Sequence, residues 1–409
     1  MLVYARVIRA AARTRVNALI CGRTGSDMRN ALLIGAGLAC ATAIAVGAST
    51  GSGAGPGQVL EGKRLFEQET FGGNGRTCQT CHSQATGTVS PDDAQKRFAQ
   101  NPNDPLFLHD GSDDGQGHGT SRMRTDATVL MTIHMADNVQ LADDPTARTV
   151  VLRRGIPTTL NTPALDPVLM VDGRQPTLEQ QATGAIQDHA QGAVPSIAGL
   201  QAIAAFQKTN AFFSSPEIRR FALERGPAPA LPAGETESEK RGRRFFEDLP
   251  PDPTDGFKPG LCAHCHSGPL LNQTNQFAEL FIGAPIPAGQ RFISVGVSEI
   301  NEGGNQERVF IFNKGTAKEA ILKSADPGRA LITGVTAAED PTLEHVNAFK
   351  ISPLRGISRT APYFHDNSAK TLEDVAKHYT LFFQIVTGGG LQLTPQDQAD
   401  IVAYMKLLN

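Results

Sequence analysis

Two five-residue stretches with the same spacing constrain this chain more than any other feature. Residues 78–82 read CQTCH and residues 262–266 read CAHCH, so a histidine directly follows each pair of cysteines. Four of the six cysteines lie in these stretches, and the other two are Cys21 and Cys40. The fold must therefore present the same chemical arrangement in two separate parts of the chain.

The C-x-x-C-H spacing predicts covalent attachment of c-type haem. Two thiols join the haem vinyl groups, and the histidine supplies an axial nitrogen to the iron. A four-cysteine zinc site would leave both histidines unexplained, and a thioredoxin-like dithiol requires a βαβ pattern that the sequence lacks. We therefore assign haem attachment to Cys78, Cys81, His82, Cys262, Cys265 and His266.

Length and charge limit the remaining possibilities. A chain of 409 residues with 40% hydrophobic residues is long enough for two or three domains. Its formal net charge of −3 provides no basic field for holding DNA or RNA, so we exclude nucleic acid as a partner.

The first 56 residues predict a signal peptide or an N-terminal anchor with a Gly/Ser linker. Arg29 precedes an apolar run, and small residues follow it, with a plausible cleavage position near Ala48. This order is typical of a secretory signal, and the run is also just long enough to anchor the protein in a membrane. Both interpretations place the body of the protein in the periplasm or another exported compartment.

The sequence around the second motif repeats the pattern around the first. Residues 61–82 and 239–266 each run from a basic amphipathic helix through a Gly-rich loop to the haem motif, and the Pro/Ala/Gly-rich residues 223–235 separate the two copies. Strand-like runs are few and short. We predict a mainly α fold of two cytochrome c-like domains, each with one covalently bound haem, at residues 57–225, with an insertion at about 90–150, and at residues 226–409.

Two longer stretches resemble the bacterial dihaem cytochrome c peroxidase and MauG superfamily. FKISPLRGISRTAPYFHDNSAKTLEDVAKHY (349–379) is similar to the C-terminal signature of that family, and VDGRQPTLEQQATGAI (171–186) to a segment of its first domain. With the two haem motifs, the resemblance covers residues 57–409 apart from the insertion.

The resemblance implies different roles for the two haems. The haem on His82 would bind substrate, and the haem on His266 would transfer electrons. Peroxide reduction at the first haem needs an open iron position, an acid–base group and a supply of electrons. The resemblance also implies Ca²⁺ between the haems, because Asn161 and the carbonyls of Thr360 and Pro362 match the family's hard oxygen ligands.

The first haem site departs from the family pattern. Val171 replaces the Trp that is thought to carry electrons between the haems, and the chain contains no Trp at all. The family's catalytic Glu aligns with Gln191, whose amide cannot exchange a proton as a carboxylate does. His189 is the candidate replacement because an imidazole can accept and return a proton, although a surface or structural histidine is the alternative. Gln181 remains as a distal residue.

The second haem site departs in its distal ligand. The peroxidases place a Met fourteen residues after the His of the PYFH sequence, where this chain has Tyr379. A Tyr there resembles the MauG branch, and a phenolate lowers the potential that a thioether would raise. The neighbouring His378 competes for this role, and packing alone is a third interpretation of Tyr379.

The insertion contains further candidate ligands. His118 lies in a Gly-rich loop and is the best analogue of the mobile histidine that blocks the first iron in the family's peroxidases. Met131 and His134 lie in a mixed apolar stretch that favours a core position over iron ligation. The acidic DGSDD run, residues 110–114, favours a solvated loop over a calcium site.

Three functions compete on this reading. The first is a peroxidase that reduces hydrogen peroxide with electrons from a small cytochrome c or copper protein. The second is a MauG-like or oxygenase-like dihaem enzyme that oxidises a protein or an organic substrate. The third is a non-catalytic electron carrier. Gln181 and the long insertion favour an enzyme with a shaped distal pocket, and the sequence leaves a homodimer open.

Overall fold

The computed structural model describes residues 54–409. The predicted signal or anchor, including Cys21 and Cys40, lies outside these residues except for positions 54–56. Between residues 54 and 409, no helix is long and apolar enough to cross a membrane.

Thirteen α-helices and seven β-strands are present in the described part of the chain. The helices are α1 Pro56–Glu67, α2 Cys78–Cys81, α3 Pro91–Gln100, α4 Ser121–Asp126, α5 Leu178–Gly184, α6 Ile197–Thr209, α7 Pro216–Ala222, α8 Glu237–Arg243, α9 Ala278–Ile282, α10 Val297–Ile300, α11 Ala330–Thr333, α12 Leu372–Val386 and α13 Pro395–Met405. The strands are β1 Thr128–His134, β2 Val139–Leu141, β3 Thr149–Gly155, β4 Phe292–Ile293, β5 Arg308–Phe312, β6 Ala320–Ser324 and β7 Phe349–Lys350.

The fold is mixed, with 35% helix and 11% strand, so the prediction of a mainly α protein is only partly right. The strands form antiparallel sheets in the orders β1-β3, β2-β5-β6 and β4-β7. The prediction of few and short strand-like runs underestimated them, because five of the seven strands have five residues or fewer and short apolar runs carry little periodicity.

In the first half of the chain, residues 57–225, α1 crosses α6 at close range. Gly62 makes this crossing possible, since a Cβ atom at that position would lie 1.9 Å from the backbone oxygen of Ala202. Beside the crossing, Phe66 packs against Phe206 and Phe213, with ring centroids 5.6 and 5.3 Å away. This aromatic cluster packs directly behind the first C-x-x-C-H motif.

The second half repeats the same arrangement with α8 and α13. A Cβ atom at Gly242 would lie 2.0 Å from the backbone oxygen of Asp400, and Phe246 packs against Tyr404 at 5.3 Å. The helix α8 begins at the predicted capping box, where the Thr236 side chain accepts a hydrogen bond from the Glu239 backbone. The repeat inferred from the sequence is therefore a repeat of helix packing.

A third packed region is separate from these two helix pairs. It combines the insertion with residues of the second half, because β2 pairs with β5 and places Leu141 opposite Phe310. The buried side chains of this core include Met123, Val129, Ile133, Leu141, Phe310, Phe312 and Leu331. The insertion thus shares a core with the second half of the chain.

Candidate haem sites and the residues that face them

The first C-x-x-C-H motif lines a deep cavity, which we call the first cavity. Cys78, Cys81 and His82 form part of its wall. The motif folds into the single turn α2 because Thr77 and Thr80 cap each other, with the Thr77 backbone donating to the Thr80 hydroxyl at 2.9 Å. The local sequence therefore places both thiols and the imidazole on one side of a compact turn.

His82 has the hydrogen bonding of a metal-ligating histidine. Its Nδ1 lies 2.8 Å from the carbonyl oxygen of Gly87. A carbonyl only accepts hydrogen bonds, so Nδ1 carries the proton and Nε2 keeps its lone pair. Burial lowers the pKa of His82, which keeps the ring neutral.

The wall of the first cavity also contains Gln181 and His189. Gln181 lies on α5, which begins at the predicted Thr177 cap. A π-helical turn, Ala185–His189, follows directly and ends at His189. The Gln181 side chain makes no hydrogen bond to the described residues, whereas His189 Nδ1 is hydrogen-bonded to the Asp110 carboxylate. The structure thus brings both predicted distal residues to the cavity that holds the first motif.

Gln191 does not line this cavity, contrary to the prediction. Its backbone adopts a left-handed conformation with φ +53°, and its side chain is exposed. The Gln191 Oε1 atom accepts a hydrogen bond from Asn74 at 3.2 Å. The chain leaves the cavity wall after Ala190, where Gln191 takes its left-handed conformation, and a linear alignment could not show this turn.

His118 also lies away from both cavities. Its side chain is 82% exposed, and its Nδ1 atom is 2.7 Å from Asp114 Oδ2. Asp114 also accepts hydrogen bonds from the backbones of Gln116 and His118, which closes the acidic loop on itself. The prediction that His118 blocks the first iron therefore has no support in this structure. Met131 faces the first cavity, while His134 lies on the exposed side of β1.

The second motif lines a second cavity with the same local chemistry. Cys262, Cys265 and His266 form part of its wall, and His266 Nδ1 lies 2.9 Å from the carbonyl oxygen of Leu271. Burial lowers the pKa of His266 to about 4, so this imidazole also stays neutral with a free Nε2 lone pair. The same arrangement therefore supports both histidines as axial ligands.

Tyr379 lines the second cavity from α12. Its ring stacks against Phe383 with centroids 5.8 Å apart, and its hydroxyl makes no hydrogen bond to any described residue. Burial, together with the nearby cysteines of the motif, raises the pKa of Tyr379 well above its ordinary value. A buried phenol without a partner that faces a cavity is suited to meet a ligand or metal there.

His378 is placed differently, although it is the neighbouring residue. It does not line the second cavity, and its Nε2 atom lies 2.8 Å from the carbonyl oxygen of Val295. The helical rotation between consecutive residues accounts for the difference. Of the two candidates for the distal ligand, the geometry favours Tyr379.

The two cavities share one wall. The residues that line both are Gly155, Ile156, Pro157, Thr158, Thr162, Val171 and Lys350. Val171, at the position of the family's Trp, accepts a backbone hydrogen bond from Lys350 at 2.7 Å. Arg154, which lines the first cavity, is buried between Asp172 and Asp326. The tertiary structure thus brings the two motifs to cavities that share one partly apolar partition.

The predicted calcium ligands lie near this partition. Thr360 and Pro362 line the second cavity, and Asn161 is buried. The Asn161 Oδ1 atom accepts a hydrogen bond from the Ser215 backbone at 2.9 Å, which leaves one lone pair for a cation. No group of three or more His, Cys, Asp or Glu side chains in residues 54–409 could hold a metal ion. Calcium bound by Asn161 and the two carbonyls stays a prediction.

The residues around both motifs fit covalently bound haem. The four cysteines are unpaired, burial raises the pKa of Cys78 and of Cys265 to about 12, and both histidines present a free Nε2. Sequence reasoning missed two residues of the first site, Arg76 and Asp110. Their contacts join positions 34 and 79 residues apart, and no spacing rule could have predicted them.

Comparisons with known proteins show which proteins this chain is similar to. Residues 57–217 match the profile of the di-haem cytochrome c peroxidase family, which confirms the resemblance predicted from the sequence. Cytochrome c551 peroxidase of Pseudomonas aeruginosa is 30% identical over 124 residues, which cover 29% of this chain and 32% of that protein. Cytochrome c peroxidase Ccp of Escherichia coli is 29% identical over 208 residues, which cover 51% of this chain and 31% of that protein.

Among solved structures, a MauG-like protein associated with microbial copper homeostasis covers 87% of this chain and 88% of its own. Its sequence identity is 20% and its TM-score is 0.47. In contrast, the chain spans about a third of the length of the two curated peroxidases that it matches.

Proposed function

We propose, from the resemblance to the di-haem cytochrome c peroxidases, that this chain is an exported oxidoreductase that reduces hydrogen peroxide in the first cavity. Two covalently bound c-type haems would be attached at the two motifs, and a small cytochrome c or copper protein would supply electrons. The proposal rests on one observation, which is that the imidazole of His189 lines the same cavity as His82.

The proposed reaction consumes hydrogen peroxide, two protons and two electrons and releases two molecules of water. The haem on His82 would supply the open iron position and pass on the electrons. His189 would accept a proton at Nε2 from one peroxide oxygen and return it to the other oxygen as the O–O bond breaks. Gln181, whose amide has no partner among the described residues, would orient the peroxide.

The second cavity supports the supply of electrons. His266 and Tyr379, which both line this cavity, would hold a haem there, and that haem would supply electron transfer from the donor protein. The partition that contains Val171 and Lys350 lines both cavities and would be the route between them. Because Val171 has no aromatic ring, transfer would proceed through the backbone and packed side chains of this partition.

Tyr379 favours a second candidate function. A phenolate ligand stabilises oxidised iron more than a thioether does, so the second haem would give up electrons more readily than in a Met-ligated peroxidase. That property suits a MauG-like or oxygenase-like enzyme that oxidises a protein or an organic substrate. The first cavity and its acid–base group would serve either reaction.

The decisive experiment measures peroxide reduction by the haem-loaded protein and by His189→Ala. Removing a general acid–base group costs about 10²–10⁴-fold in rate, so we expect kcat/KM for peroxide to fall by that factor. His118→Ala is the matched control, because it removes a surface imidazole of the same chain and should leave kcat/KM unchanged.

The state in which the protein reacts separates the two functions. Turnover only after reduction by one electron would support the peroxidase, and reaction of the fully oxidised protein followed by oxidation of an added substrate would support the MauG-like enzyme. An unchanged rate in His189→Ala would exclude His189 as the acid–base group. Failure of the wild-type protein to react with peroxide in either state would contradict both functions.

A further inference from the structure

The insertion contributes one buried carboxylate to the first haem site. Asp110 lies in the short 3₁₀ turn His109–Gly111 and is only 4% exposed. One of its oxygens accepts a hydrogen bond from His189 Nδ1, and the other accepts one from Arg76 Nη1. Asp110 is thus the link between a cavity-lining imidazole and a buried guanidinium.

Arg76 holds this part of the insertion against the haem motif that begins two residues later. Its Nε donates to the Pro105 carbonyl at 2.8 Å, and its Nη2 donates to the Leu106 carbonyl at 3.1 Å and to the Leu108 carbonyl. Its Nη1 also donates to the His189 carbonyl at 3.1 Å. The guanidinium therefore fixes the Asp110 turn, the haem motif and the His189 backbone relative to one another.

The backbone of Asp110 is fixed from its other side as well. Arg122 Nη2 donates to the Asp110 carbonyl oxygen at 2.8 Å. The following residue, Gly111, leaves no room for a side chain, since a Cβ atom there would lie 2.0 Å from the Leu106 oxygen. The turn is thus built to hold the carboxylate in one place.

The charge of Asp110 determines which nitrogen of His189 carries a proton. Burial alone would raise the pKa of Asp110, but the hydrogen bond from His189 and the charge of Arg76 outweigh it and hold the pKa below its usual range. An ionised carboxylate only accepts hydrogen bonds, so Nδ1 must donate and the neutral ring keeps a lone pair on Nε2. Nε2 has no hydrogen-bond partner in residues 54–409.

Several other charged or titratable groups surround the Asp110–His189 pair, which we call the dyad. The Nε2 atom of His109 lies 3.1 Å from the carbonyl oxygen of Asp188, and Arg174 lines the same cavity. None of them is hydrogen-bonded to the His189 ring. The charged and titratable groups that face the pair are therefore Arg76, His82, His109, Asp188 and Arg174.

We propose that Asp110 is a positioning residue that orients His189 and fixes its tautomer, so that Nε2 serves as the proton acceptor in the first cavity. Arg76 holds Asp110 ionised and in place. The insertion at about 90–150 then has a defined role, because it completes the acid–base group of the site. The expected effect of Asp110 on turnover rests on the proposed function. The hydrogen-bond arrangement of Asp110 and His189 does not.

The test is the nearly isosteric Asp110→Asn variant of the haem-loaded protein. An amide facing His189 Nδ1 can donate a hydrogen bond, which favours the tautomer with a protonated Nε2. We expect kcat/KM for peroxide to fall by about 10²–10⁴-fold, comparable with the effect of His189→Ala. Asp113→Asn is the matched control, because Asp113 accepts hydrogen bonds only from the backbones of Ser121 and Arg122 and should leave kcat/KM unchanged.

A double-mutant cycle distinguishes positioning from a general structural effect. If Asp110 acts through His189, adding Asp110→Asn to His189→Ala should cost no further activity, since the residue that it orients is already absent. Fully additive losses would overturn the proposal. Asp110→Ser, which is smaller than Asp and introduces no packing conflict, serves as a second variant, and failure of both to take up haem would assign Asp110 to folding alone.

Cyanide binding provides a readout that does not depend on turnover. Hydrogen cyanide must give up its proton to a base near the iron, so its affinity at the first haem reports on His189 directly. We expect Asp110→Asn to weaken cyanide binding as much as His189→Ala does and to change its pH dependence, with Asp113→Asn unaffected. If cyanide binding weakens in this way but the protein has no peroxidase activity, the proposed function is refuted and the dyad is retained. Unchanged cyanide binding in Asp110→Asn would overturn the dyad.

Discussion

At the scale of single residues, one position of helical rotation decides which side chain reaches the second haem site. Tyr379 and His378 are neighbours on α12, yet only Tyr379 lines the cavity, while His378 is hydrogen-bonded to Val295. The sequence could name both candidates but could not choose between them. The choice depends on the packing of α12 against Phe281 and the rest of the second core, with Phe281 5.7 Å from Phe383.

If Tyr379 is the distal ligand that we propose, replacing it with Phe should remove an oxygen ligand from the second haem and keep the packing. We expect a changed absorption spectrum and a higher reduction potential for that haem, because a phenolate favours oxidised iron. The free energy of unfolding should stay within about 1 kcal/mol of wild type, since the hydroxyl has no protein partner. His378→Gln is the control, and its spectrum should not change. An identical spectrum in Tyr379→Phe would exclude Tyr379 as a ligand.

At the scale of secondary-structure elements, each half depends on a close crossing of two helices. Gly62 on α1 and Gly242 on α8 occupy equivalent positions, and each allows the partner helix to approach to backbone contact. The repeated sequence predicts helices at both places. It does not predict the contact, because a glycine within a helix acquires this role only when a second helix lies across it.

Gly62→Ala should therefore destabilise the first half. Its Cβ atom would lie 1.9 Å from the Ala202 oxygen, so α1 and α6 must separate, and we expect the free energy of unfolding to fall by about 1–3 kcal/mol. Gly57→Ala, in the same helix but with open space around its Cβ position, should be neutral or stabilising by up to about 1 kcal/mol. Urea unfolding of the haem-loaded variants measures both, and equal stabilities would contradict the tight crossing.

At the scale of the whole molecule, the β2-β5-β6 sheet joins the insertion of the first half to the second half. Phe310 is fully buried and lies opposite Leu141 in this sheet. The insertion also contains Asp110, whose carboxylate is hydrogen-bonded to His189. Contacts between residues about 170 positions apart therefore join the second half of the chain to the insertion that supplies Asp110.

Phe310→Ala should loosen the insertion although it lies in the other half of the chain. Truncation of a buried Phe costs about 3–5 kcal/mol, and we expect faster amide hydrogen exchange in β1 and β2 as a result. Ile321→Ala is the matched control on the same sheet, because Ile321 is 69% exposed and its loss should change the free energy of unfolding by no more than about 0.5 kcal/mol. Unchanged exchange in β1 and β2 of Phe310→Ala would show that the two halves are independent.

The sequence by itself determined the chemistry that is local to a few residues. The C-x-x-C-H motifs specify the thiols and the axial histidines, and the capping residues Thr77, Thr177 and Thr236 specify where helices begin, because these interactions span only a few positions. Only the tertiary structure decided what lies opposite each histidine. In the folded chain Gln191 and His118 lie outside the cavities, Asp110 contacts His189, and the cavities of the two motifs share one partition. Those outcomes depend on contacts between distant segments, which are set by the packing of the whole chain.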